Sequence, residues 1–280
     1  MIKTILLCVD GSKYAEAAMG AALWFSKELK TQLHVLSVVD IQLLEGPWLS
    51  DLSGIMGVQP FQALVPQLRE LYERKAQTAV EEVMAVAKQQ GVKCQAEVET
   101  GSLVNEILEA ERTAELVVMG QRGEGFEATG EWLGSHVERI LRKSIKPCLI
   151  TPLEFRPIQS ILAAYDGSQH ANHALYVAFD LTKALKTKLS ILVVENAGDE
   201  EKKSWVLKEG LDLAEKQGIQ ALPLLLHGSP EERIVEAATQ QKFDLIVMGA
   251  YGHTRLRELV LGSVTSHVVR KSPVAVLLAR

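Results

Sequence analysis

The chain has 280 residues, 47% of them hydrophobic and 23% charged, and a formal net charge of -5. That length holds one large domain or two of about 140 residues, while the acidic balance argues against general binding to nucleic acid or to an anionic membrane. No apolar run approaches the roughly 20 residues that cross a bilayer. Met1 leads directly into the strand-like ILLCV without an export signal, so a cytoplasmic protein is expected.

In chain order, the β-branched runs ILLCV, LHVLSVV, CQAEVE, ELVVMG and PCLIT predict buried strands. Between them AEAAMGAALWFSKEL, QLRELYERKAQTAVEEVMAVAKQQ (closed by Gly91) and NEILEAERT have the period of amphipathic helices. ILAAY, LSILVV, ALPLLL, DLIVMG and VAVLLA then repeat the strand series, again with helices between them. Strand alternating with helix implies a parallel sheet covered on both faces. Ligands of such sheets sit beyond the carboxyl ends of the strands.

The second series is a copy of the first. TILLCVDGS (4–12) aligns with SILAAYDGS (160–168), and KELKTQL with KALKTKL, at a constant offset of 156 residues. Further on, LVVMG matches LIVMG, and Gly134-Ser135 matches Gly262-Ser263. Tandem domains of 1–152 and 158–280 are expected, joined by the stiff connector TPLEFRP. Cys8, Cys94 and Cys148 have no metal-like spacing and are expected to be reduced.

The second copy carries a glycine pattern at the predicted carboxyl edge. Gly249 follows the strand DLIVM, Gly252 lies three residues on, and nine residues later Gly262-Ser263 precede the helical SVTSHVVRK. A glycine after a strand lets a ligand approach the main chain, although such residues are as often simple turn formers. A helix start adds free N–H groups and a positive dipole end, which suit phosphate, with the Ser263 and Thr265 hydroxyls as further donors. His253, Arg255 and Arg257 in the intervening loop either balance phosphate charge or form a solvated face. Asp166, ending the first strand of this copy, either meets a ribose or base or caps the next helix.

VDGS at 9–12, YDGS at 165–168 and G-x2-G-x9-G-S at 249–263 together resemble the universal stress protein family in its tandem form, over nearly the whole chain. The resemblance implies two open five-stranded α/β sheets of strand order 3-2-1-4-5, of the adenine nucleotide alpha hydrolase type. It also implies ATP binding in members with the glycine motif. Carried over by position, the base and ribose meet Ala164, Asp166, Val194 and Met248. The phosphates, with Mg2+, meet Gly249, Gly252, Gly262, Ser263, Val264 and Thr265. Single-domain members pair along the fifth strand, so the two halves are expected to pair within the chain, with a homodimer of chains as a further expectation.

The first copy departs from this pattern. Ten residues separate Gly123 from Gly134, and the loop carries Glu124, Glu127 and Glu131. Val137 and Glu138 stand where the second copy has Thr265 and Ser266. Asp10, Val38, Gly120, Gly123, Gly134 and Ser135 survive, so a pocket is expected to persist without the phosphate site, ATP in the family manner being the alternative. An insertion over residues 40–69, apolar but broken by glycines and prolines, is expected to be a lid or interface segment, or else a locally packed loop.

The function expected is a nucleotide-responsive stress or signalling protein with ATP in the C-terminal domain. One alternative is a slow ATPase or nucleotide-transferring enzyme, for which His253 is the one general-base candidate. Another is a nucleotide-free interaction scaffold, with or without an apolar ligand in the N-terminal domain. The sequence has no G-x4-G-K-[ST], no G-x-S-x-G and no metal-spaced cluster.

Overall fold

A computed structural model describes residues 2–41, 61–123, 135–195, 200–250 and 261–279. In the first half β1 (Thr4–Cys8), α1 (Lys13–Leu29), β2 (Gln32–Asp40), α2 (Phe61–Gln89), β3 (Cys94–Gly101), α3 (Leu103–Ala110), β4 (Leu116–Gly120), α4 (Ser135–Lys143) and β5 (Cys148–Thr151) follow one another. The second half repeats them as β6 (Ser160–Ala164), α5 (Gln169–Leu185), β7 (Lys188–Glu195), α6 (Glu200–Lys216), β8 (Ala221–His227), α7 (Pro230–Gln240), β9 (Leu245–Gly249), α8 (Ser263–Lys271) and β10 (Ala275–Ala279).

Each half has the expected order 3-2-1-4-5, with every pairing inside a half parallel. The two fifth strands are not free edges. β5 and β10 pair antiparallel, Val276 opposite Ile150 and Leu278 opposite Cys148, so the described strands form one ten-stranded sheet. An apolar strand edge that would template unwanted pairing is thereby closed. The sheet ends instead at β3, where Glu97 and Glu99 add charge, and at β8, where Pro223 removes a backbone donor.

Strand residues alternate between two cores. Ile5, Leu7, Phe25, Ile161 and Phe179 pack on one face with α1, α2, α5 and α6, while Leu6, Leu36, Ile140, Leu162 and Val268 pack on the other with the remaining helices. Burying each such side chain stabilises the fold by about 1.5–3 kcal/mol. The connector is held to the first core by Phe155, whose ring lies 5.9 Å from that of Trp24.

The first strand of each half is tied down by an acid from the fourth. One Glu115 carboxylate oxygen accepts from the Lys3 and Thr4 amides, and Asp244 does the same for Gln159 and Ser160. The halves differ most in the helix after the second strand. α2 has 29 residues against 17 in α6. It begins at Phe61, not near Gln67 as the proline pattern suggests, and continues through Pro66 at the loss of one backbone hydrogen bond. Part of the 40–69 insertion is therefore helix; residues 42–60, and with them the lid or interface expectation, lie outside the described residues. Among those described, no helix is long and apolar enough to cross a membrane.

Candidate functional site

The carboxyl edge of each half is built by one turn. After β1, Asp10 accepts a hydrogen bond from the Ser12 amide (3.0 Å) and Ser12 Oγ accepts from the Ala15 amide (3.2 Å), capping α1. After β6, Asp166 and Ser168 repeat both bonds at 2.9 and 3.2 Å. Between acid and serine the chain turns through Gly11 (φ 77°) and Gly167 (φ 80°), in the left-handed region that disfavours a side chain. The helix caps are therefore the serines, and each aspartate braces the turn that presents its serine.

Two of the motif glycines have a reason that involves no ligand. A Cβ on Gly249 would stand 2.9 Å from the His170 carbonyl carbon and 3.0 Å from the Ala171 amide nitrogen, main-chain atoms of the first turn of α5. On Gly120 it would lie 2.6 Å from Tyr14 Cβ and 2.9 Å from the Tyr14 carbonyl. Glycine is required there so that helix and strand can approach. Gly123 packs differently: its Cβ would fall 2.8 Å from Asp10 Oδ2, which joins loop and aspartate in one site.

In the second half, Val194 and Met248 are buried in the core on this face of the sheet, and Ala164 and Val264 pack against it partly exposed. Beside it α8 starts at Gly262, with no side-chain cap and no acid in its first turn. Ser263 is exposed, whereas Thr265 is 3% exposed. The Thr265 hydroxyl donates toward the Gly249 and Ala250 carbonyls (3.4 and 3.2 Å), so its single proton ties α8 to the end of β9. Gly252, His253, Arg255 and Arg257 lie outside the described residues.

In the first half a cavity of about 250 Å3 opens at the same edge. Asp10, Val38, Gly120 and Gly123 line it, along with Cys8 and Met119. Gly134 and the three loop glutamates lie outside the described residues; Ser135 begins α4. In the first turn of α4, Glu138 pairs with Arg142 and places negative charge where an anion would dock. Burial pushes the Cys8 thiol far up, with help from nearby Cys148, Glu111 and Asp10, so it serves as apolar wall and not as nucleophile. Burial likewise raises the Tyr165 hydroxyl, reinforced by Glu209 and Asp166, and this phenol donates to Asn172 Oδ1 at 3.0 Å.

A sequence profile of the universal stress protein family matches residues 1–152 and again 157–280. The chain belongs to this family. It is 33% identical to universal stress protein Slr1230 of Synechocystis sp., over the whole of both chains, and 25% identical to universal stress protein Rv1996 of Mycobacterium tuberculosis, covering 99% of this chain and 94% of that one. The crystal structure of a universal stress protein from Archaeoglobus fulgidus superposes with a TM-score of 0.76 at 23% identity, over 99% of this chain and 96% of the other, a likeness of fold.

Several lining residues of this tandem stress protein escape the motif. Tyr72, Lys75 and Ala76 come from α2, spaced i, i+3, i+4 on the helix face turned to the cavity. Asp40, Arg122 and His136 complete the wall. His136 has its Nδ1 3.9 Å from Asp40 Oδ2. Gln121, beside Arg122, is buried and its side-chain amide donates to the Val269 carbonyl near the end of α8, so the first domain's loop grips the second domain's helix. Among the described residues no three His, Cys, Asp or Glu side chains converge as a metal site.

Proposed function

We propose that the chain is an ATP-binding tandem stress protein that holds the nucleotide in its second domain and responds to its presence. The observation that carries this reading is the start of α8 at the carboxyl edge: Gly262 in the cap position, no side-chain cap, no acid in the first turn. Such a turn offers free amides and a positive dipole end to phosphate. The residues fit the group. The main chain of Gly262 to Thr265 and the Ser263 hydroxyl would hold the phosphates, and Mg2+ would accompany them. Ala164, Val194, Met248 and Val264 would form the apolar wall for the base, with Asp166 toward the ribose. Gly249 and Thr265 would act as positioning residues that fix α8 against β9, and Gly252 would line the phosphate loop.

What the nucleotide changes is then binding and not chemistry. Occupancy at a hundredfold excess over Kd stabilises a protein by about 2.7 kcal/mol, enough to shift melting measurably. Homodimerisation, where it occurs, must use a surface other than the fifth strands, since β5 and β10 are already paired with each other.

The test is to denature the purified protein and chromatograph the supernatant for released adenine nucleotide. Retention is expected for the parent and for Gly134→Val, and is expected to be lost in Gly262→Val. Absence of heat and of any melting shift with saturating ATP would refute the proposal.

A further inference from the structure

We infer that the first domain's cavity is a separate binding site for a small, ring-sized organic molecule that is mainly apolar and carries one hydrogen-bond-accepting oxygen, as a carbonyl or carboxylate. The walls set the body of the ligand. Val38, Ala76, Ile107, Met119 and Ile140 are apolar, and the protonated thiol of Cys8 joins them. An apolar cavity of ~150 Å3 admits benzene, so about 250 Å3 holds one ring and a short head group. Binding pockets of this kind use a few polar atoms to orient an otherwise apolar ligand.

Those atoms are also on the wall. Arg122 Nε and His136 Nδ1 are both buried and both lack a hydrogen-bond partner among the described residues. The guanidinium is always a donor, and Nδ1 donates in one neutral tautomer and in the imidazolium. Two buried donors without partners carry a desolvation penalty that an acceptor oxygen would remove. Asp10 and Asp40 also line the cavity, but a cation drawn to them would leave Arg122 unsatisfied and add like charge beside it and Lys75.

A triphosphate does not suit this site. Glu138 occupies the first turn of α4, where the second domain has Ser266, and opposes a polyanion. The cavity also owes part of its wall to Tyr72, which lies N-terminal to the stretch of α2 that α6 reproduces.

The experiment is a titration of the full chain with benzoate, acetophenone and benzylamine, followed by ligand-observed NMR and calorimetry. Saturable 1:1 binding of benzoate or acetophenone is expected, with benzylamine failing to compete. The relative affinity of those two acceptors tells carboxylate from carbonyl as the head group. Ala76→Phe, which projects a ring into the cavity, should cut affinity by about tenfold or more, and Arg122→Gln by roughly tenfold, the value of a hydrogen bond to a charged group. Gly262→Val should leave probe binding unchanged, which separates this site from the nucleotide site of the second domain. The inference is overturned by no saturable binding of either acceptor probe, by equal competition from benzylamine or ATP, or by undiminished binding in folded Arg122→Gln. Should Ala76→Phe fail to fold, Arg122→Gln decides alone.

Discussion

In the first domain the helix after the glycine loop opens with Ser135, His136, Val137 and Glu138; in the second it opens with Ser263, Val264, Thr265 and Ser266. Behind these turns the two domains are nearly superimposable in their small devices. Asp10 and Asp166 brace the same turn, Ser12 and Ser168 cap the same helix, and Lys30 and Lys186 end it in the same left-handed conformation at φ 55°. Duplication has preserved what closes the fold and let drift what faces the edge. A motif residue shared by both domains is therefore weaker evidence for a ligand than one that differs between them.

Gly120 and Gly249 put that rule to its hardest test. Both are shared, and both meet main-chain atoms that cannot move aside cheaply. Gly120→Ala and Gly249→Ala should each destabilise the protein by about 1–3 kcal/mol, Gly120→Ala more, because its contacts reach 2.6 Å against 2.9 Å. Urea denaturation measures both. A Gly249→Ala protein of parental stability that has lost only nucleotide would show that this glycine serves the ligand after all.

The same two glycines show where sequence stops being legible. The strands could be read because their β-branched runs recur at a fixed offset, and the repeat doubles the weight of each. Gly249 could be located but not explained: the turn of α5 that it packs against begins about 80 residues earlier in the chain, and spacing within a motif carries no record of such a contact. Thr265 was legible as a first-turn hydroxyl, but not as one already spent on β9. The first-domain cavity was the least legible: the helix expected from Gln67 already contains Tyr72, Lys75 and Ala76, but the sequence does not say that their face of it turns to the sheet's carboxyl edge. The i, i+3, i+4 spacing of Tyr72, Lys75 and Ala76 was the one available signal.

Gln121 is a difference between the domains and not a shared feature. Its counterpart is Ala250, whose side chain has no donor to return the grip on the other domain. α8 ends with carbonyls that have no helical partner, and Gln121 supplies one to Val269. Gln121→Leu should leave that carbonyl unsatisfied at a cost of about 1–3 kcal/mol. If the contact is the link between the domains, unfolding should also lose cooperativity, which calorimetry detects as a calorimetric enthalpy exceeding the van't Hoff value. An unchanged, single transition would mean that β5 and β10 couple the domains without it.

Thr265→Val makes the second domain resemble the first, where Val137 stands. The change is close to isosteric and removes the bonds to Gly249 and Ala250. Stability should fall by about 0.5–1.5 kcal/mol, while ATP affinity falls less than about threefold, because the lost proton was never offered to phosphate. A loss of affinity without loss of stability would return Thr265 to the ligand.

The smallest effect expected concerns the acids that tie each first strand to its fourth. Burial alone would raise Glu115, but its bonds from the Thr4 and Lys3 amides, with the charges of Lys146 and Lys3, outweigh it and hold the carboxyl below its usual 4.5. A carboxyl lowered in the folded state binds fewer protons there than in the unfolded chain, so stability rises with pH through that interval. The contribution is complete above about pH 4.5 and is lost as pH falls through the lowered value. Glu115→Gln keeps an acceptor oxygen for the two amides and removes the charge. Melting temperatures recorded from pH 7 down to pH 3 should therefore differ between parent and variant at neutral pH and converge at the acid end. Curves that stay parallel to pH 3 would show that the carboxylate charge contributes nothing to holding β1 against β4.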